Sequence, residues 1–158
     1  MNLRALTSGD FPAVASFLAD DESHLFGRPS RLGLSDVRTW LAEVELECNT
    51  WLFEEDGQIA ALAWAEVEEH HDAGFAVGVV HRDRRGRGLG SQLLDLTEDR
   101  LRQLDVARLH SVTLAPETAA PPLLTTRGYR EVRRFWEMTI ELGEEPQPAS
   151  MVPDGLRI

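Results

Sequence analysis

Between an alternating apolar run that ends at Val80 and a helical leucine repeat that begins near Gly90, the chain carries Arg85-Gly86-Arg87-Gly88-Leu89-Gly90-Ser91. Glycines at every second position permit dihedrals closed to other residues and let a ligand's oxygens approach the backbone. The first N–H groups of the following helix lack intrahelical acceptors and sit at the positive end of its dipole, so this junction prefers an anion. Arg84, Arg85 and Arg87 add guanidinium donors suited to phosphate. The segment is therefore expected to be a strand, a phosphate-cradling loop and a helix in succession.

Two other glycine-rich loops fit less well. A dinucleotide-binding turn asks for G-x-G-x-x-G, an acidic residue about 20 positions on, and parallel strands alternating with helices. Here the spacing is G-x-G-x-G and antiparallel hairpin signals precede it. A nucleoside triphosphatase loop needs Gly-Lys-Ser/Thr, and all sixteen basic residues of this chain are arginine. A dinucleotide oxidoreductase is left as a third functional reading.

Around the loop, short strands and helices follow one another. NLRALT reads as a strand. SGDFPAVASFLADD predicts a helix capped by Ser8 or Asp10, with Pro12 near the first turn and Val14, Phe17 and Leu18 apolar. HLFGRPSRLG reads as a loop, and LSDVRTWLAEVELE predicts a helix capped by Ser35 that places Val37, Trp40, Leu41 and Val44 on one face. TWLFEEDGQIAALAWAEVEE predicts two strands around an Asp56-Gly57 turn. AGFAVGVV predicts another, with Phe75, Val77 and Val79 on one face and Ala76, Gly78 and Val80 on the other. A glycine inside a strand marks a bulge or a close approach of another backbone, so Gly78 is expected to serve one of these. LGSQLLDLTEDRLRQLD is an amphipathic helix with Leu89, Leu93, Leu96, Leu101 and Leu104 near helical spacing. RLHSVTLA reads as a strand, APETAAPPLLTTRGY as a loop and a short helix broken by Pro121 and Pro122, and EVRRFWEMTIEL as a last alternating strand.

A chain of 158 residues is long enough for one domain with its own core. The net charge of −11 argues against DNA or RNA, whose binding depends on cations that displace counterions, and suits cationic partners. The sequence has no apolar run near the ~18 residues that span a bilayer and no signal-peptide pattern, so no membrane association and a cytoplasmic location are expected. The single Cys48 cannot form an intrachain disulfide, and no metal-ligand spacing surrounds it.

With these elements in place, the sequence resembles the GNAT superfamily of acyl-CoA-dependent N-acyltransferases, whose hallmark is Gln or Arg, two residues, Gly, one residue, then Gly or Ala. Arg85, Gly88 and Gly90 match it, and VVHRDRRGRGLGSQLL is similar to the family's strand, turn, loop and helix, with Arg82 where proline is common. Gly128-Tyr129 resembles the Gly-Phe that precedes the family's last strand. The resemblance covers roughly residues 1–142, leaving 143–158 as a proline-rich tail or linker whose PDGLRI faintly echoes the opening MNLRAL, as at the start of a second repeat. It implies an α/β fold: a mixed, mostly antiparallel sheet flanked by helices, with a splayed strand pair forming the CoA cleft. It also implies acetyl-CoA as co-substrate. The main-chain amides of Arg85, Gly86, Arg87, Gly88, Leu89, Gly90 and Ser91 would hold the pyrophosphate, while Gly78, Val79 and Val80 pair with the pantetheine arm.

Acyl transfer to an amine needs a neutral nitrogen, and a free alkylamine titrates near 10.4, so a base is expected. Glu66 and Glu68 stand at alternate strand positions, and His71 and Asp72 follow in the turn; Glu66 is preferred because Trp64 precedes it on the same face and could wall an acceptor cleft. Many relatives carry a tyrosine in Asn-x-x-Ala-x-x-Leu-Tyr to protonate the leaving thiolate. Here Glu117 replaces the Asn and Leu124 the Tyr, which leaves Thr125 or Thr126 acting through water, or positioning alone. The expected activity is transfer of an acetyl or short acyl group from acetyl-CoA to a small amine or a protein amine. The alternative is a non-catalytic acyl-CoA-binding module or one half of a tandem protein. Trp51 or Trp136 could serve a homodimer face as readily as the core.

Overall fold

Asp56 and Gly57 both take left-handed backbone conformations, φ 54° and 74°, the pair of angles that a two-residue hairpin turn demands. They join β2 (Thr50–Glu55) to β3 (Gln58–Glu68), as the sequence predicts. The structure, a computed structural model, describes residues 1–68, 73–136, 138 and 140. Glu68 is placed in β3, but His71, Asp72 and the tail 143–158 lie outside the described residues.

Five strands form one sheet in sequence order: β1 (Asn2–Arg4), β2, β3, β4 (Ala73–Val80) and β5 (Arg108–Ser111). All pairs are antiparallel except β4 with β5. Helices α1 (Phe11–Phe26), α2 (Leu34–Trp40) and α3 (Leu46–Asn49) fall between β1 and β2, α4 (Leu89–Gln103) joins β4 to β5, and α5 (Ala120–Thr126) follows β5. The result is the mixed, mostly antiparallel α/β sheet expected.

Strand alternation divides the core in two. Leu62 and Trp64 of β3 pack with Val14 and Leu18 of α1 and Val37 of α2, while Ala61 and Ala63 face Leu89 and Leu93 of α4. Thr97 is buried on the inner face of α4 where leucine might stand, and its hydroxyl donates back to the Leu93 and Leu94 carbonyls at 3.0 and 3.1 Å. That local bond satisfies the hydroxyl in an apolar setting.

Several local expectations are corrected. Gly33, not Ser35, caps α2: its N–H donates to the Asp36 carboxylate at 2.8 Å, so the capping side chain comes from inside the first turn. That helix stops at Trp40, which is 43% exposed while Val37, Leu41 and Val44 are buried. Pro121 and Pro122 begin α5 instead of breaking it, since proline's missing N–H costs nothing in a first turn. Residues 131–136 of the expected last strand have no regular structure, with Val132 83% and Trp136 83% exposed. Trp51, by contrast, packs against the core.

The glycine in β4 that packing requires is Gly74. A Cβ there would lie 2.7 Å from Leu101 Cδ2, and Leu101 is itself buried in α4. Gly78 sits in unbroken register opposite Ala63, and a Cβ would meet nothing closer than 3.8 Å. The register shift of the sheet lies instead between Phe53 and Glu54 of β2. Gly74→Ala is therefore expected to cost about 1–3 kcal/mol by overpacking, whereas Gly78→Ala should change stability by less than about 1 kcal/mol; urea unfolding of the two variants measures both.

Candidate functional site

β4 is paired along its whole length with β3, from Ala73 to Val80. On its other side it pairs with β5 only from Ala73 to Ala76. Beyond Ala76 the pairing stops, because β5 ends at Ser111, and among the described residues no strand pairs with that side of Val77–Val80, where the expected splay would open; the Val80 carbonyl is taken by Arg85. The phosphate-type loop begins where that edge ends.

His81 opens the loop, its Nδ1 accepting from the Asp83 N–H at 3.2 Å, and a single 3-10 turn, Arg82–Arg84, leads to Arg85. Gly86 and Gly88 then take φ of 74° and 80°, a region that side-chain-bearing residues enter at a cost of about 1–2 kcal/mol. The first α4 bond runs from Gln92 N–H to the Gly88 carbonyl at 3.1 Å. Among the described residues, no acceptor is found for the N–H groups of Gly86, Arg87, Gly88, Leu89, Gly90 or Ser91. Leu89 contributes only its amide, because its side chain is core. Gly90 packs closely on α5: a Cβ would come within 3.1 Å of Leu123 Cδ2, which would have to shift by a few tenths of an ångström. A run of unpaired amides at a helix start can accept the oxygens of an anion.

The arginines do not stand free as the sequence suggests. Arg84 Nε is 2.6 Å from Glu55 and Arg87 Nη1 3.5 Å from the same carboxylate. Arg85 turns inward: Nε donates to the Val80 carbonyl at 3.2 Å, and Nη2 lies 3.1 Å from Asp21 of α1 and 2.9 Å from Glu117. One guanidinium thus ties α1, the loop and the segment after β5. Glu117, which in sequence looks like a departure from the family's Asn, is this anchor, and no local signal announces it. Burial pushes the Asp21 carboxyl above its ordinary value; Arg85 opposes the shift and Glu117 adds to it.

On the α1/α2 face of the sheet, Glu66 of β3 lines an open pocket of about 460 Å³ together with Arg38, Thr39, Trp40, Ala42 and Glu43. Its cross-strand partner is Phe75, one step from the Trp64–Val77 pair, so the pocket lies toward the apex of the splay. Trp64 is core, 5% exposed, and does not wall the cleft; Trp40 does, stacked on it at 6.4 Å and 16°. The acid candidates are occupied locally: Thr125 Oγ1 donates to the Pro121 carbonyl at 2.9 Å and Thr126 Oγ1 to Leu123 at 2.7 Å. The Tyr129 hydroxyl donates to Glu98 at 3.2 Å, and burial pushes its phenol well up. Among the described residues no cluster could hold a metal ion, and no helix is long and apolar enough to cross a membrane.

A helix-flanked sheet that splays beside an amide-lined loop defines an acyltransferase-type domain. The sequence model of the Acetyltransferase (GNAT) family matches residues 13–129, and the chain belongs to that family. Among solved structures it is similar to a GCN5-related N-acetyltransferase from Sphaerobacter thermophilus (TM-score 0.74, 26% identity), covering 84% of this chain and 44% of that one. This chain therefore spans less than half the length of that relative. A ribosomal-protein-alanine N-acetyltransferase from Brucella melitensis superposes with TM-score 0.65 at 22% identity over 84% of this chain and 86% of its own. A predicted acetyltransferase from Clostridium acetobutylicum, solved with acetyl-CoA, gives 0.68 at 15% identity over 87% and 95%. No curated protein matches the chain in sequence.

Removing the Arg85 guanidinium leaves two mostly buried carboxylates facing each other. Arg85→Gln should cost about 2–4 kcal/mol at pH 7. The sign with pH follows from Asp21: a carboxyl whose folded pKa is raised holds more protons folded than unfolded, so stability falls as pH rises through that range. Loss of Arg85 accentuates the shift, and the deficit of the variant should shrink on going from pH 7 to pH 5 in chemical denaturation.

Proposed function

We propose that this chain transfers an acetyl or other short acyl group from the CoA thioester to a primary amine by direct attack in a ternary complex. The observation that carries the proposal is the run of unpaired amides from Gly86 to Ser91 at the open end of the splay. Residues 85–91 would hold the pyrophosphate by backbone donors, and the edge Gly78, Val79 and Val80 would pair with the pantetheine amides as an added strand. The glycine conformations suit that role, since bulk at Gly86 or Gly88 would strain the turn. CoA supplies an activated thioester; the chain's part is to bind it, orient it and manage protons.

The acceptor arrives as an ammonium and must lose a proton before its nitrogen can attack. Glu66 is the group assigned to take that proton, directly or through a water. The new C–N bond forms as the C–S bond breaks, the nitrogen sheds its second proton to solvent as the amide forms, and the sulfur leaves as thiolate to collect a proton from solvent, because no side-chain acid occupies the Leu124 position. Family membership and the acetyl-CoA-bound relative support the choice of CoA. The name of the Brucella melitensis relative, a ribosomal-protein-alanine N-acetyltransferase, supports the choice of an amine acceptor.

Binding of acetyl-CoA by calorimetry, with thiol release over an amine panel, tests the proposal. Gly88→Val is expected to weaken acetyl-CoA at least about tenfold in a variant shown to be folded. Glu66→Gln should lower kcat about 10²- to 10⁴-fold while acetyl-CoA affinity stays within about twofold. Tight acetyl-CoA binding without thiol release on any amine makes the chain a binding module and ends the transfer reading.

A further inference from the structure

We infer that the acceptor is a small zwitterion, an amino acid or similar molecule whose amine and anionic group are engaged together, with Arg38 holding the anion. The inference rests on the acyl-transfer reading of the same site. Its starting point is the composition of the pocket wall: one guanidinium, two carboxylates and one exposed indole around about 460 Å³. A pocket made only for a bare cation has no use for Arg38, which repels it.

Most described arginines hold a carboxylate, as expected where acids outnumber bases 27 to 16. Arg38 holds none among the described residues, as is true of the exposed Arg28, Arg31, Arg130 and Arg133, but it alone of these lines the pocket, and Glu43, five residues on and lining the same pocket, also has no hydrogen-bond or ion-pair partner among the described residues. Two exposed, opposite charges on one wall, with no protein partner among the described residues, are available to meet opposite charges on a ligand. Trp40 supplies the rest. It is 43% exposed yet held flat on the buried Trp64 at 16°, so it offers a fixed aromatic face, which attracts an ammonium.

The acceptor's ammonium is thereby drawn to Trp40, Glu43 and Glu66, and its anion to Arg38, which fixes which end of the molecule meets Glu66. After acylation the nitrogen is a neutral amide, so its attraction to the carboxylates disappears and the product is released.

The test uses the full chain with CoA present and matched pairs of amino acid and decarboxylated amine: phenylalanine with phenethylamine, leucine with isopentylamine, histidine with histamine. Affinity is read from indole fluorescence, and turnover from thiol release. At least one amino acid should bind about 10- to 100-fold more tightly than its decarboxylated partner, the range of a charge-assisted hydrogen bond. Arg38→Gln should collapse that ratio toward unity, and Arg38→Lys should keep part of it. Decarboxylated amines binding as well as amino acids, a ratio untouched by R38Q, or binding confined to peptides and indifferent to Arg38 would each overturn the inference, as would no binding across the panel. Thiol release without Arg38 dependence defeats this inference and leaves acyl transfer standing. Arg38-dependent binding without thiol release on any amine does the reverse.

Discussion

The half-length ladder between β4 and β5 is the constraint on which the remainder of the molecule depends. Four residues of parallel pairing fix where the strands join, and the absence of pairing beyond Ala76 leaves backbone donors and acceptors that must find partners outside the sheet. The loop with its unpaired amides stands at one end of that opening and the mixed-charge pocket toward the other.

Around this opening the protein balances charge by close pairing. Although the chain is strongly acidic, the arginines beside the loop are claimed by Glu55, Asp21 and Glu117. What the loop offers an anion is therefore mainly its unpaired amides and the helix end, while the guanidinium groups tie segments together. Arg85 is the plainest case: the hallmark residue of the loop motif spends its donors on holding α1 and the segment after β5 in place.

Much of this architecture is legible in local sequence. The Asp56-Gly57 turn needs two left-handed residues and has them, and the leucines of α4 repeat at helical spacing because one face meets the sheet. The glycine loop is recognisable because three alternating glycines exceed what a turn needs. What is not legible depends on residues far apart in the chain. Gly74 and Gly78 look alike in sequence, and only Leu101, packed over the first, tells them apart. Trp40 falls on the predicted apolar face of its helix, but α2 ends there and leaves it in the pocket. The alternation of residues 131–136 suggests a strand but carries no information on whether a partner edge is available.

Every Lys-or-Arg position of the chain is arginine, and the ion pairs of Arg84, Arg85 and Arg87 around the loop are guanidinium–carboxylate pairs. An ammonium in the same positions would release a nucleophilic amine whenever it lost its proton, a chemical liability beside an activated ester. Arginine keeps its charge at any pH a protein experiences and does not share that reactivity. On the proposed reading, the cations that frame the loop are thus inert toward the acyl donor.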